Sequence, residues 1–108
     1  MGRIYDEHGR ALLVERGQRV KIDPEGKREI DTFANKDLYP ALFREGEWND
    51  YRIVCRGPRV QLYINGFKTV DYQEEDKSIP LKGRIAVQIH SGPPGEAWYR
   101  RIQIRRLK

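Results

Sequence analysis

The sequence predicts an all-β fold, an antiparallel sandwich of short strands. Three observations carry this. Apolar and polar residues alternate in several short runs. No stretch repeats its apolar residues at helical spacing. Turn signals separate the runs, among them the dipeptide Asn65-Gly66. A chain of 108 residues makes one domain, residues 1–108, and is too short for a two-domain enzyme or an α/β barrel.

The elements follow in order. Arg3–Glu7 reads as a strand, His8-Gly9 as a turn and Ala11–Glu15 as a second strand. Lys21–Asp31 holds the turn signal Asp23-Pro24-Glu25-Gly26. Between Asp31 and Asn49 one short helical turn fits near Leu38–Leu42, where Pro40 weakens it. Residues 1–50 are therefore the irregular half, with one or two strands and a long loop. Residues 51–108 form antiparallel strands: Tyr51–Cys55, the turn Gly57-Pro58, Arg59–Ile64, the Asn65-Gly66 hairpin turn and Phe67–Tyr72. After a surface loop with Glu74–Asp76 and Pro80 come Gly83–His90, the turn cluster 91–95 and a closing strand, Ala97–Leu107.

Lys+Arg number 21 against 16 Asp+Glu, a net charge of +5. The densest basic run is Arg100, Arg101, Arg105, Arg106 and Lys108. Ile102 and Ile104 alternate with Arg101, Gln103 and Arg105, so the run reads as the solvated face of a strand. A polyanion surface is the other reading, but no nucleic-acid-binding motif accompanies it, and no nucleic-acid partner is expected. Cys55 is the only cysteine, which excludes an internal disulfide. On the side of Tyr51 and Ile53 it is expected as a buried, inert thiol. One cysteine and two distant histidines suggest no metal site, and no cofactor is expected. No apolar run is long enough to span a membrane.

Four further stretches are distinctive together: Gly46-Glu47-Trp48-Asn49-Asp50-Tyr51-Arg52-Ile53; Leu62–Gly66 followed by Thr69-Val70-Asp71-Tyr72; Gly83–Gly92; and Tyr99–Ile104. With Gly2-Arg3-Ile4-Tyr5-Asp6-Glu7 before them, the chain resembles the 3-keto-disaccharide hydrolase domain family over nearly its whole length. The resemblance implies a concanavalin A-like jelly roll and a carbohydrate ligand, in a bacterial periplasmic or secreted setting. It also implies that the chain matches the C-terminal half to two thirds of the family domain. Open edges and bared apolar faces would then be completed by a homo-oligomer pairing through sheet faces or edges.

Site residues follow from both readings. Gly83–His90 as a strand sets Ile85, Val87 and Ile89 on one face and Arg84, Ala86, Gln88 and His90 on the other. That second face is a carbohydrate groove or a plain solvent-facing surface. His90 is the catalytic candidate, because imidazole exchanges protons near neutral pH; a structural, hydrogen-bonded histidine is the alternative. Arg84 could polarise a carbonyl oxygen. Tyr5 and Glu7 could supply a phenol and a carboxylate, and Trp48 packs at the sheet rim or underlies a sugar ring. The implied function is cleavage of a keto-sugar glycosidic bond by acid–base chemistry. The alternative is a non-catalytic carbohydrate-binding or β-sheet assembly module. Paired carboxylates for ordinary glycoside hydrolysis are not identifiable.

Overall fold

A computed structural model describes residues 2–89 and 92–107. Its strands are β1 (Ile4–Asp6), β2 (Ala11–Val14), β3 (Gln18–Ile22), β4 (Arg28–Thr32), β5 (Tyr51–Arg56), β6 (Arg59–Ile64) and β7 (Phe67–Glu74). A 3-10 turn, Lys36–Ala41, lies between β4 and β5 and holds Pro40. β1 and β2 pair as a small antiparallel hairpin, and the other five make one sheet in the order β4-β3-β7-β6-β5. The fold is all-β, in two layers.

The hairpin closes one face of the large sheet. Leu13 and Val14 of β2 meet Val20 and Ile22 of β3, Leu62 of β6, and Val70 and Tyr72 of β7, with Ile4 and Val60 at the margin. Burial has period 2 in β3, where Val20 and Ile22 face the hairpin and Arg19 and Lys21 the other side. Asp23 makes the β3–β4 turn by accepting hydrogen bonds from the Glu25 and Lys27 backbone N–H groups at 3.0 and 2.7 Å.

Asn65 and Gly66 join β6 to β7 with φ of +50° and +84°, the two positive angles that a type I′ hairpin turn needs. The Asn65 side chain also accepts from the Asp50 N–H at 2.8 Å and donates to Leu42 O at 2.6 Å and Asn49 Oδ1 at 3.0 Å. It thus ties the loop before β5 to the hairpin. Asn65→Gly keeps the turn and deletes these bonds, so it should lower stability by about 1–2 kcal/mol; a urea melt unchanged from the parent would refute the tie.

Two features of this sheet are not local. β3 runs parallel to β7, with Val20 opposite Tyr72, whereas its remaining pairs are antiparallel. In the β6–β7 ladder, Leu62 faces Val70 while Tyr63 faces Lys68, so Thr69 is an extra, unpaired residue. That bulge lets Thr69 and Val70 both be buried and returns Lys68 and Asp71 to the same, polar face.

Several expectations are corrected. Gly83–His90 and Ala97–Leu107 are not strands over their described residues (His90 lies outside them); no ladder includes a described residue after Glu74. Ile85, Val87, Ile89, Ile102 and Ile104 are exposed. Alternation marks a face that a strand could bury, but a strand also needs a neighbour for its backbone groups. Cys55 is exposed, not buried, because β5 is an edge strand and the β1–β2 hairpin covers the sheet further in. The first half is more regular than expected and contributes β1–β4.

Candidate functional site on the polar face of the sheet

The face opposite the hairpin presents side chains from all five strands. Strand alternation places Arg19 and Lys21 of β3, Arg59, Gln61 and Tyr63 of β6, and Lys68, Asp71 and Gln73 of β7 on it. At its centre is Asp71, only 2% exposed. Arg59 grips it with two parallel bonds, Nε to Oδ1 at 2.9 Å and Nη2 to Oδ2 at 2.7 Å. Gln61 Nε2 and Lys68 Nζ reach Oδ2 at 3.3 and 3.4 Å, and Arg19 Nε lies at 3.6 Å.

Hydrogen bonding from Arg59 is the main cause that holds the Asp71 carboxyl down at about 2. Burial opposes it, and the Arg59 charge, the Gln61 bond and the Lys68 charge add to it. Asp71 is a positioning residue: it aims cations, most of its bonds converge on Oδ2, and it does not take a proton near neutral pH. Arg19, Arg59 and Lys68 share Asp71, and Asp31 of β4 stands opposite Arg19 in the β3–β4 ladder, so the centre of the face keeps a surplus of one positive charge. Arg19 and Arg59 remain about half exposed, so both can meet a ligand.

Lys68 connects this centre to a cleft. Its Nζ sits 5.3 Å from the Phe33 ring centroid, and Phe33 lines an open cleft of about 590 Å³ with Glu15, Arg16, Gln18, Asn35 and Lys36. Local chain geometry builds the cleft. Gly17 O accepts from both Phe33 N and Ala34 N at 2.8 and 3.2 Å, which turns the chain leaving β4 back over the start of β3. Burial raises the Glu15 carboxyl, but the Arg16 N–H bond and the Arg3 and Arg16 charges outweigh it, and Glu15 is held below its ordinary value. The cleft sets an aromatic ring, with the Lys68 ammonium over it, beside polar side chains.

The residues singled out from sequence are not assembled there. Tyr5 stands exposed on β1 and Glu7 lies in the turn after it, with Glu7 Oε1 4.0 Å from His8 Nε2. Both belong to the hairpin layer, on the opposite side of the sheet from Asp71. Arg84 and Gln88 lie in the irregular segment, where Gln88 O accepts from the Tyr99 hydroxyl at 2.8 Å. Trp48 is half-exposed and carries the Arg100 guanidinium 3.9 Å over its ring, which occupies one ring face. His90 lies outside the described residues. Among those residues, no cluster of three His, Cys, Asp or Glu is placed to hold a metal ion, and no helix is long and apolar enough to cross a membrane.

The centre at Asp71 escaped the sequence reading. Its one signal is the order Arg59, Gln61, Tyr63 on the strand before Asn65-Gly66, with Lys68 and Asp71 after it. A regular hairpin would set Lys68 and Asp71 on opposite faces, and only the Thr69 bulge unites them. Comparison with known proteins yields one finding. Residues 1–105 match the family model described as a 3-keto-alpha-glucoside-1,2-lyase-like domain. No curated protein and no solved structure matches significantly.

Proposed function

From the premise that this chain belongs to the 3-keto-alpha-glucoside-1,2-lyase-like domain family, we propose that its polar sheet face binds a keto sugar and promotes cleavage of the glycosidic bond. The observation that carries this is the cationic surplus around Asp71 beside the Phe33 cleft.

A ketone acidifies the C–H next to it. A base that removes this proton leaves an enolate, whose charge rests on the former carbonyl oxygen. The electron pair then returns to expel the glycosidic oxygen from the adjoining carbon, and that oxygen takes up a proton as it leaves. The barrier falls where fixed positive charge meets the enolate oxygen. Arg59, aimed by Asp71, and Lys68, held between Asp71 and Phe33, suit that task. The shifted carboxyls Asp6, Glu15, Asp71 and Asp76 all move downward, so none of them serves well as a proton carrier near neutral pH. We assign that role to His90, because imidazole as a side-chain class exchanges protons near neutral pH.

The test is aglycone release from a 3-keto glucoside, followed by mass. His90→Ala should slow release roughly 10²-fold or more, and Arg59→Ala about 10²-fold. Undiminished release from both variants would remove the assignment. The downward-shifted carboxyls favour a second reading, a binding module in which they serve only as acceptors. In that case the keto glucoside binds, Arg59→Ala weakens it, and no product forms.

A further inference from the structure

We infer that a second copy of this chain docks on the free edge of β4 by adding residues 102–106 as a further strand, so that two copies exchange arms. β4 is the outermost strand on its side of the sheet, and all of its residues are exposed. Its outer backbone groups face away from β3, a ready template for strand addition. Residues 102–106 carry the pattern that such an edge would bury, with Ile102 and Ile104 on one side and Gln103 and Arg105 on the other.

Charge and register select the match. On β4, Glu29 and Asp31 face the polar side of the sheet and Ile30 the other. If Ile104 lies opposite Ile30, Arg105 falls opposite Glu29 in an antiparallel pairing and opposite Asp31 in a parallel one. Gln103 faces the other acid in each case. Lys21 and Arg19 already face Glu29 and Asp31 from β3, so the added strand supplies a cation on the open flank of one acid and the Gln103 amide on that of the other. Arg28 disfavours the antiparallel choice, because Arg106 would stand opposite it; the parallel choice sets Arg106 opposite Thr32.

Among the described residues the arm is not paired with its own β4. Arg100 is fixed over Trp48, just before β5, at the far edge of the sheet. Four strand spacings of about 4.8 Å, roughly 19 Å, separate β5 from β4, and six extended residues at about 3.3 Å each are needed to cross them. The chain would arrive at β4 at about Arg106, with Ile102 to Arg105 spent on the crossing. Arg101, with φ of +52°, turns the chain at the anchor and frees the arm. A second copy is therefore the occupant.

The experiment uses exposed positions, so folding is not at risk. In a Cys55→Ser background, chains with Ile30→Cys are mixed with chains with Ile104→Cys, oxidised, and mapped by mass. The expected result is a covalent dimer linked between positions 30 and 104. The parent chain should scatter light as a dimer at micromolar concentration, and Arg105→Glu should weaken that dimer at least tenfold at low salt. A parent chain that stays monomeric overturns the proposal. So does a chain carrying both cysteines that forms the 30–104 link only within itself, or a dimer indifferent to Arg105→Glu.

Discussion

Replacing Asp71 with asparagine should cost about 2 kcal/mol at neutral pH, and the difference should vanish in acid. Asp71 drops from an ordinary carboxyl value of 3.8 to about 2 on folding. Each unit is worth about 1.4 kcal/mol of preference for the ionised form. The sign follows from linkage. A carboxyl depressed in the folded state adds stability that is fully present above its unfolded value and is lost as pH falls through its folded one. The parent chain should therefore lose this increment between about pH 5 and pH 2. Asp71→Asn, which keeps the shape and removes the charge, should lack that part of the acid slope. Urea melts of both proteins at pH 7 and near pH 2 measure it. Equal gaps between the proteins at the two pH values would show that the Arg59 grip contributes nothing to stability. The same variant releases Arg59, Gln61 and Lys68 from their common acceptor, so the ligand face loses its aim along with its anchor.

Gly17→Ala should have a still larger effect, at least about 3 kcal/mol, read as a fall of more than about 10 °C in Tm. Gly17 has φ of +83°, and a Cβ there would run into the backbone oxygen of Ala34. Ala34 itself is held in place, because Ala34 N and Phe33 N are bound to Gly17 O, so making room for a Cβ disturbs this turn. Gly17 N also donates to Thr69 O at 2.7 Å, so the residue joins the β3 entry, the cleft wall and the bulge of β7. Gly46→Ala is the control. Its φ is +75°, and nothing lies within 4 Å of an added Cβ. It should cost only the backbone term, about 1 kcal/mol. Similar losses for the two variants would show that the contact with Ala34 is unimportant.

What the sequence showed and what it concealed divide by range. Asn65-Gly66 and Asp23 to Gly26 act within a few residues, and the structure has a hairpin and a turn where they stand; the helical turn expected near Leu38–Leu42 stands as a 3-10 helix, Lys36–Ala41, that accommodates Pro40. Tyr51–Cys55, Arg59–Ile64 and Phe67–Tyr72 alternate and also find strand neighbours. Gly83–Ile89 and Ile102–Leu107 alternate equally well, but whether a neighbour waits for them is not a property of the segment itself. The site failed to appear for a related reason. Asp71 is one of many acids until Lys68 is brought to its side, and that depends on one unpaired residue, Thr69. Arg19 joins them only because β3 lies parallel to β7, a neighbourhood that links residues about fifty positions apart. Tyr5, Glu7 and Trp48 carry suitable chemistry, and chemistry alone does not say which layer a residue occupies.

The parallel β3–β7 seam also orders events in time. Each of its flanks is local: β3–β4 closes through one turn, and β5–β6–β7 through two. Only the seam requires a long loop to be closed before any contact rewards it. The chain is therefore expected to assemble as two quick units that meet slowly, with Val20 and Tyr72 joining across the last gap to form.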